Sequence, residues 1–209
     1  GLGWNLSVGG MVVRNLRGLP DDAAWFGYMN TPAIPVNYDS LAMKYYNDSL
    51  DAQQDVFQYS FNGHGGKFVI NKRKEIIQIP QTKTRILYEL SPTDTLISSF
   101  TIITEDGLKY YFKEKEECTL DGTIRNHRMS AKPFSSAWLL SYIVAPFTPD
   151  TIKFEYYVLD QKKKFNSASH NQTRFISNAY SIDRVVDTVQ QLILQKQLMN
   201  IYLPDDKRV

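Results

Sequence analysis

Apolar and polar residues alternate along much of this chain with a period of two, which is typical of β-strands. The clearest case is residues 56–61, where three aromatic side chains share one face. A glycine-rich stretch at 62–66 follows, and then a second apolar run at 67–70. Because glycine adopts the positive φ angles of tight turns without steric cost, this succession predicts a β-hairpin.

Short alternating segments separated by Gly, Pro, Asn and Asp recur along the rest of the chain. The further strands that we predict are residues 11–16, 75–79, 85–90, 99–104, 108–112, 138–144, 151–157 and 198–203. Residues 183–196 fit a helical period, yet their β-branched content favours a strand. Spaced hairpins of this kind predict an all-β fold, with antiparallel hairpins that form a sheet or a sandwich-like shell segment.

Two segments depart from the hairpin pattern. Residues 38–50 carry apolar residues at helical spacing after a candidate cap at Asn37 or Asp39, and they predict one short helix docked on the sheet. Residues 160–178 contain three consecutive lysines and then many polar residues, which indicates an exposed excursion between strands. We therefore expect a single β-rich module over residues 1–209, with a possible internal excursion at 160–178.

Composition narrows the classes of function. Hydrophobic residues make up 43% of the 209 residues, enough for a sizeable core. The 24 basic and 22 acidic residues leave a formal charge of only +2, which disfavours nucleic acid as a partner. The single cysteine excludes an internal disulfide and a multi-cysteine metal site.

The sequence contains no apolar run of about 20 residues, which a transmembrane helix would need. It also contains no stretch with the basic and then apolar pattern of a signal peptide. Both ends look cut, so we expect a fragment of a longer chain.

No catalytic or metal-binding motif stands out. None of the three histidines has the local spacing of a zinc site, and His64 is predicted to be a polar turn residue. A G-x-S-x-G elbow and a phosphate-binding loop are both absent from the sequence. The acidic pairs at 21–22 and 105–106 lie in predicted turns, where acidic residues are routine. We predict no catalytic residue, no cofactor and no metal site.

Four segments resemble a known family, and they are residues 1–22, 55–70, 97–112 and 136–157. Residues 1–22, GLGWNLSVGGMVVRNLRGLPDD, resemble the GLGW-x-L-x-x-GG-x-x-x-R-x-x-x-G-x-PDD segment of secreted bacterial YD-repeat (RHS-type) proteins, particularly their Bacteroidetes members. Residues 59–68 are similar to the family's F-x-F-N-G-x-x-G-K-F motif, and residues 104–112 to its T-x-DG-x-K-Y-x-F pattern. No Tyr-Asp repeat is present, since the Tyr-Asp pair at 38–39 stands alone.

The resemblance implies a role as well as a fold. A related β-rich module occurs in toxin-complex and plasmid-virulence B-type proteins, where such segments build a shell around a cargo. The chain would then be a non-catalytic structural module of a secreted or cell-surface protein, and its partners would be other segments of the same polypeptide. The resemblance also favours a strand at residues 183–196.

Two alternatives remain open from the sequence. The chain could be a binding module that recognises glycans or a surface protein through loop aromatics, for which the candidates are Trp25, Tyr28, Tyr45 and Tyr46. It could also be an enzyme, in which case a glycosidase is the best candidate. That activity needs two carboxyl groups about 5–10 Å apart in a cleft.

Overall fold

The computed structural model describes residues 9–24, 27–31, 50–124, 127–130, 133–148, 150–171 and 185–204. Within these ranges, only the backbone is described for residues 120–124, 127–130, 160–171 and 185–192. The start of the opening string, residues 1–8, lies outside the described residues. The helix predicted at 38–50 also lies outside them, apart from Leu50.

In the part of the chain that the structure describes, eleven antiparallel strands form one sheet, which confirms the predicted all-β fold. The strands are β1 (Gly10–Asn15), β2 (Val56–Phe61), β3 (His64–Ile70), β4 (Ile76–Ile79), β5 (Arg85–Leu90), β6 (Ile97–Ile103), β7 (Lys109–Ile124), β8 (His127–Ser130), β9 (Phe134–Val144), β10 (Thr151–Asn171) and β11 (Val185–Tyr202). None of the described residues belongs to a helix long and apolar enough to cross a membrane.

The hairpin of β2 and β3 forms where its sequence predicts it, but its turn is shorter: residues 64–66, predicted to belong to the turn and including His64, are already paired in β3. Its turn is the two residues Asn62 and Gly63, whose φ angles of 41° and 77° are both positive. Two consecutive positive φ angles are the mark of the type I′ turn that suits a twisted hairpin. Gly66, in β3, lies against the ring of Tyr59, and a Cβ placed there would be 2.6 Å from the Tyr59 hydroxyl oxygen.

Strand β9 lies at the centre of the sheet. It pairs with β7 along its length on one side, and with β1 and then β10 on the other. Its Trp138 is fully buried, meets the ring of Phe100 edge-on at 4.8 Å, and donates its indole N–H to the Ile97 carbonyl at 3.3 Å. The core around it also contains the buried side chains of Val12, Phe57, Phe61, Phe68, Ile70, Ile102, Tyr110, Phe112 and Leu140.

The sheet curls so that its first and last strands in the hydrogen-bonded order, β4 and β5, come together. The Gln78 side-chain amide donates to the Thr84 carbonyl at 2.6 Å, and the Tyr88 hydroxyl donates to the Lys74 carbonyl at 3.0 Å. These bonds hold β4 and β5 close to each other, although no backbone ladder between the two strands is found among the described residues.

Three strands are far longer than the sequence pattern predicts. β7 has 16 residues, β10 has 21 and β11 has 18. The two segments predicted at 183–196 and 198–203 are a single strand, β11. Residues 160–171, expected to belong to an excursion, continue β10 instead. Within them, residues 162–171 pair with β11 after an irregularity between Val158 and Lys162. Strand pairing satisfies backbone groups whatever the side chains are, so a polar composition does not prevent it.

Candidate functional site

The four aromatic residues predicted for ligand binding are not assembled into a site among the described residues. Trp25, Tyr45 and Tyr46 lie outside those residues. Tyr28 is half-buried, and the Lys72 ammonium nitrogen lies 5.0 Å from the centre of its ring. The cation therefore lies over the ring, where a stacked sugar would need space.

The other residues considered from the sequence have ordinary surroundings. His64 is exposed in the first position of β3, beside the Phe61 ring. Asp106 stays in its turn and accepts hydrogen bonds from the Thr104 hydroxyl and the Leu108 N–H, and the former chiefly lowers the pKa of its carboxyl. Cys118 is fully buried in β7.

The most unusual arrangement is a set of buried carboxyl groups around one arginine. We call Arg14 together with Asp21, Asp22, Asp51 and Asp55 the aspartate cluster. All five residues are at most 5% exposed. Charged side chains are rarely buried to this extent unless they are paired, so this cluster is the candidate functional site of the described residues.

Local sequence brings the cluster together. Arg14 lies two positions after Val12 on β1, so both side chains point to the buried face of the strand. Gly18 then turns the chain with a φ of +82°, and a Cβ at this position would lie 2.6 Å from Oδ1 of Asp51. Only glycine suits both the angle and the space. In the turn that follows, Asp21 and Asp22 are buried instead of exposed to solvent.

Arg14 forms ion pairs with two aspartates of the cluster and also contacts aromatic rings of the core. Its Nη2 lies 2.9 Å from Oδ1 of Asp22, and its Nε lies 3.6 Å from Oδ2 of Asp55. The guanidinium carbon also lies 5.3 Å from the ring centre of Phe57 and 5.2 Å from that of Trp138. A desolvated cation over aromatic faces is stabilised by the negative potential of the rings. The arginine thus joins the cluster to the core.

The carboxyl groups hold backbone amides of three separate segments. Asp55 accepts the N–H of Arg17 at 2.7 Å and that of Asp21 at 3.1 Å. Its own N–H donates back to the Asp21 carboxyl at 3.0 Å, so the two aspartates bind each other's main chains. Asp22 accepts the N–H of Ile97, at the start of β6, at 2.6 Å. The loop that follows β1 is therefore attached both to the segment before β2 and to β6.

Negative charge exceeds positive charge inside the cluster. Burial, and then the neighbouring charge of Asp55, raise the pKa of Asp21 to about 8. Burial also raises the pKa of Asp55 to about 6, against the opposing effect of Arg14. Both shifts have the direction expected when carboxylates leave water and face each other. The cluster can hold a proton at neutral pH and can anchor backbone amides.

The described residues contain no grouping of three or more His, Cys, Asp or Glu side chains arranged to hold a metal ion. The cluster could not be recognised from the sequence, because Asp21 and Asp22 resemble solvated turn residues and Asp55 is an isolated aspartate at the entry to β2. The one available signal was the opening string, which contains Arg14 and the aspartate pair at fixed positions without indicating that they meet.

Comparisons of the chain with known protein families, with curated proteins and with solved structures found no match.

Proposed function

We propose that this chain is a non-catalytic structural module of a secreted or cell-surface YD-repeat (RHS-type) protein, and that it contributes strands to a larger β-shell. The family and the location rest on the resemblance of the opening string and the two hairpin motifs. The architectural role is supported by one observation, which is a strip of adjacent strands that includes the three longest, β7, β10 and β11.

That strip has four strands in the order β10, β11, β7, β8. Residues 118–123 of β7 pair with β11, and residues 121–124 pair with β8. From Lys162 to Asn171, β10 pairs with β11 on one side and with no described strand on the other. An unpaired strand edge offers a row of N–H and C=O groups to a further strand. This open edge of β10 is where we expect a neighbouring segment to join the sheet.

The length of these strands also favours a shell. Strands in globular proteins have about 5–6 residues, so the 21 residues of β10 are exceptional. At about 3.3 Å per residue, β10 follows a path of about 70 Å. A compact domain of 209 residues has a radius of gyration of only about 17 Å. Such strands suit the wall of an assembly better than a self-contained core.

Residue-resolved hydrogen exchange tests this function. The exported polypeptide that contains this chain is compared with the isolated chain, and exchange is followed over residues 162–171. We expect edge-facing amides of β10 to exchange quickly in the isolated chain and to become protected in the larger polypeptide. Amides of β1, which pairs on both sides, serve as the internal control and should be protected in both samples.

Equal exchange of residues 162–171 in the two samples would contradict the proposal, because no neighbouring strand would then cover the edge. Exchange that is slow already in the isolated chain would also contradict it, since the edge would not be open.

A further inference from the structure

We propose that the aspartate cluster is a proton-operated clasp, which holds the loop after β1 on the sheet at mildly acidic pH and releases it as the pH rises. The loop comprises residues 16–24 and 27–31 of the described chain. This inference rests on the geometry of the cluster and does not depend on the proposed shell function.

The polar bonds that hold the loop run mainly through carboxyl groups, while Met29 near its far end packs into the hydrophobic core. The amides of Arg17 and Asp21 donate to Asp55, and the carboxyls of Asp21 and Asp22 accept amides from the segment before β2 and from β6. The ionisation state of these carboxyl groups therefore directly affects the hydrogen bonds that hold the loop. The remaining polar attachments that the structure gives for the loop's far end are weaker, and they join Thr31 to the Asp51 carbonyl and to Lys72 at 3.3 Å each.

The charge balance makes proton uptake necessary. Asp21, Asp22 and Asp55 have side chains that are no more than 2% exposed, and Arg14 is the guanidinium that they share. With all three ionised, three negative charges oppose one positive charge, and Asp51 adds to the excess. Burying uncompensated charge is costly, so a carboxyl keeps its proton instead.

Asp21 is the best candidate for the proton carrier. Arg14 forms its ion pairs with Asp22 and Asp55, whereas the effect of Arg14 on Asp21 is smaller than that of burial. The other ionisable groups that interact with this site are Asp51, which raises the pKa of Asp21, and Tyr28, whose own pKa is raised by burial and by Asp21. Lys72, over the Tyr28 ring, faces the site from the turn between β3 and β4.

The direction of the pH effect follows from the raised pKa values. A carboxyl with an ordinary pKa of about 3.9 when the loop is open, and a pKa of about 8 when it is closed, favours closure most at low pH. This contribution is complete below about pH 4 and is lost progressively until about pH 8. For one such carboxyl, the opening equilibrium constant increases about tenfold for each pH unit within that window.

Hydrogen exchange between pH 5 and pH 9, corrected for the intrinsic effect of pH on amide exchange, tests the clasp. The amides to follow are those of Arg17, Asp21 and Asp55, which bind the cluster carboxyls. We expect their opening constants to rise about tenfold per pH unit up to about pH 8 and then to level off. A rise of less than twofold over the whole range would overturn the proposal.

The variant Asp21→Asn isolates the proton carrier, because its amide oxygen can still accept the Asp55 N–H but the side chain does not titrate. We expect the opening constant of this variant to stop rising above about pH 6, where only Asp21 would still titrate, while the exposed-site control Asp150→Asn retains the wild-type slope up to about pH 8. An unchanged slope in Asp21→Asn would refute the assignment.

A carbon-13 NMR titration of the wild-type carboxyls provides a second test that needs no variant. An Asp21 carboxyl that titrates near pH 4 in the folded protein would overturn the proposal, and one that titrates well above pH 6 would support it.

Discussion

Replacing Arg14 by methionine removes the positive charge from the aspartate cluster and keeps most of the side-chain volume. The guanidinium lies 2.9 Å from Asp22, and both side chains are at most 2% exposed. Removal of one partner of such a buried pair destabilises a protein by about 3–5 kcal/mol, because the remaining charge has neither water nor counter-charge. The contacts of the cation with Phe57 and Trp138 are also lost.

The unfolding free energy lost in Arg14→Met should be larger at pH 7 than at pH 5. Arg14 opposes the increase in the pKa of Asp55, so Arg14→Met should raise that pKa further above about 6. A buried carboxyl that must take up a proton costs about 1.4 kcal/mol for each pH unit above its unfolded pKa of about 3.9. The wild-type protein already carries about 3 kcal/mol of this cost at pH 7, so the additional loss in the variant is about 1.4 kcal/mol at pH 7 and close to zero at pH 5. The loss of unfolding free energy in the variant should therefore be smallest at acidic pH.

Urea denaturation followed by tryptophan fluorescence measures both quantities, since Trp138 is in the core. The matched control is Arg73→Met at an exposed turn position, which should change the unfolding free energy by no more than about 0.5 kcal/mol. An Arg14→Met variant that loses less than about 1 kcal/mol at pH 7, or equally much at pH 5 and pH 7, would refute the reasoning.

Two further predictions concern the β2–β3 hairpin and the proposed ligand aromatics. Gly66→Ala should destabilise the protein by about 1–3 kcal/mol in the same assay, because the new Cβ would press on the Tyr59 ring, while Gly65→Ala nearby should be almost neutral. Comparable losses in both variants would contradict this explanation. Since Lys72 lies over the Tyr28 ring, Tyr28→Ala should leave the glycan-array profile of the chain unchanged. A selective glycan signal that disappears in Tyr28→Ala would instead favour a recognition module.

The parts of the fold that could be predicted from the sequence are those whose cause is local. Alternation at residues 56–61 and the Asn62–Gly63 turn define one hairpin without help from distant residues. The full length of β10 could not be predicted in this way. Its residues 162–171 have no apolar alternation and are ordered in a strand by their backbone partner, β11.

The candidate site was less predictable because its contacts are distant in sequence. Asp21 and Asp55 are separated by 34 positions, and Asp22 binds an amide 75 positions away. A Pro-Asp-Asp turn read by itself indicates solvated carboxylates, and only the tertiary fold buries them. Asp106 is the contrasting case, because its hydrogen-bond partners lie within its own turn. Its role as an ordinary turn residue could therefore be predicted from the local sequence.

The most direct test of the proposed shell function is a cryo-electron microscopy reconstruction of the longer, exported polypeptide to which that proposal assigns this chain. The account predicts a strand from a neighbouring segment about 4.8 Å from β10 along residues 162–171, continuing the sheet beyond its open edge. A reconstruction in which this edge of β10 faces solvent, with the chain folded as a separate unit, would contradict the account.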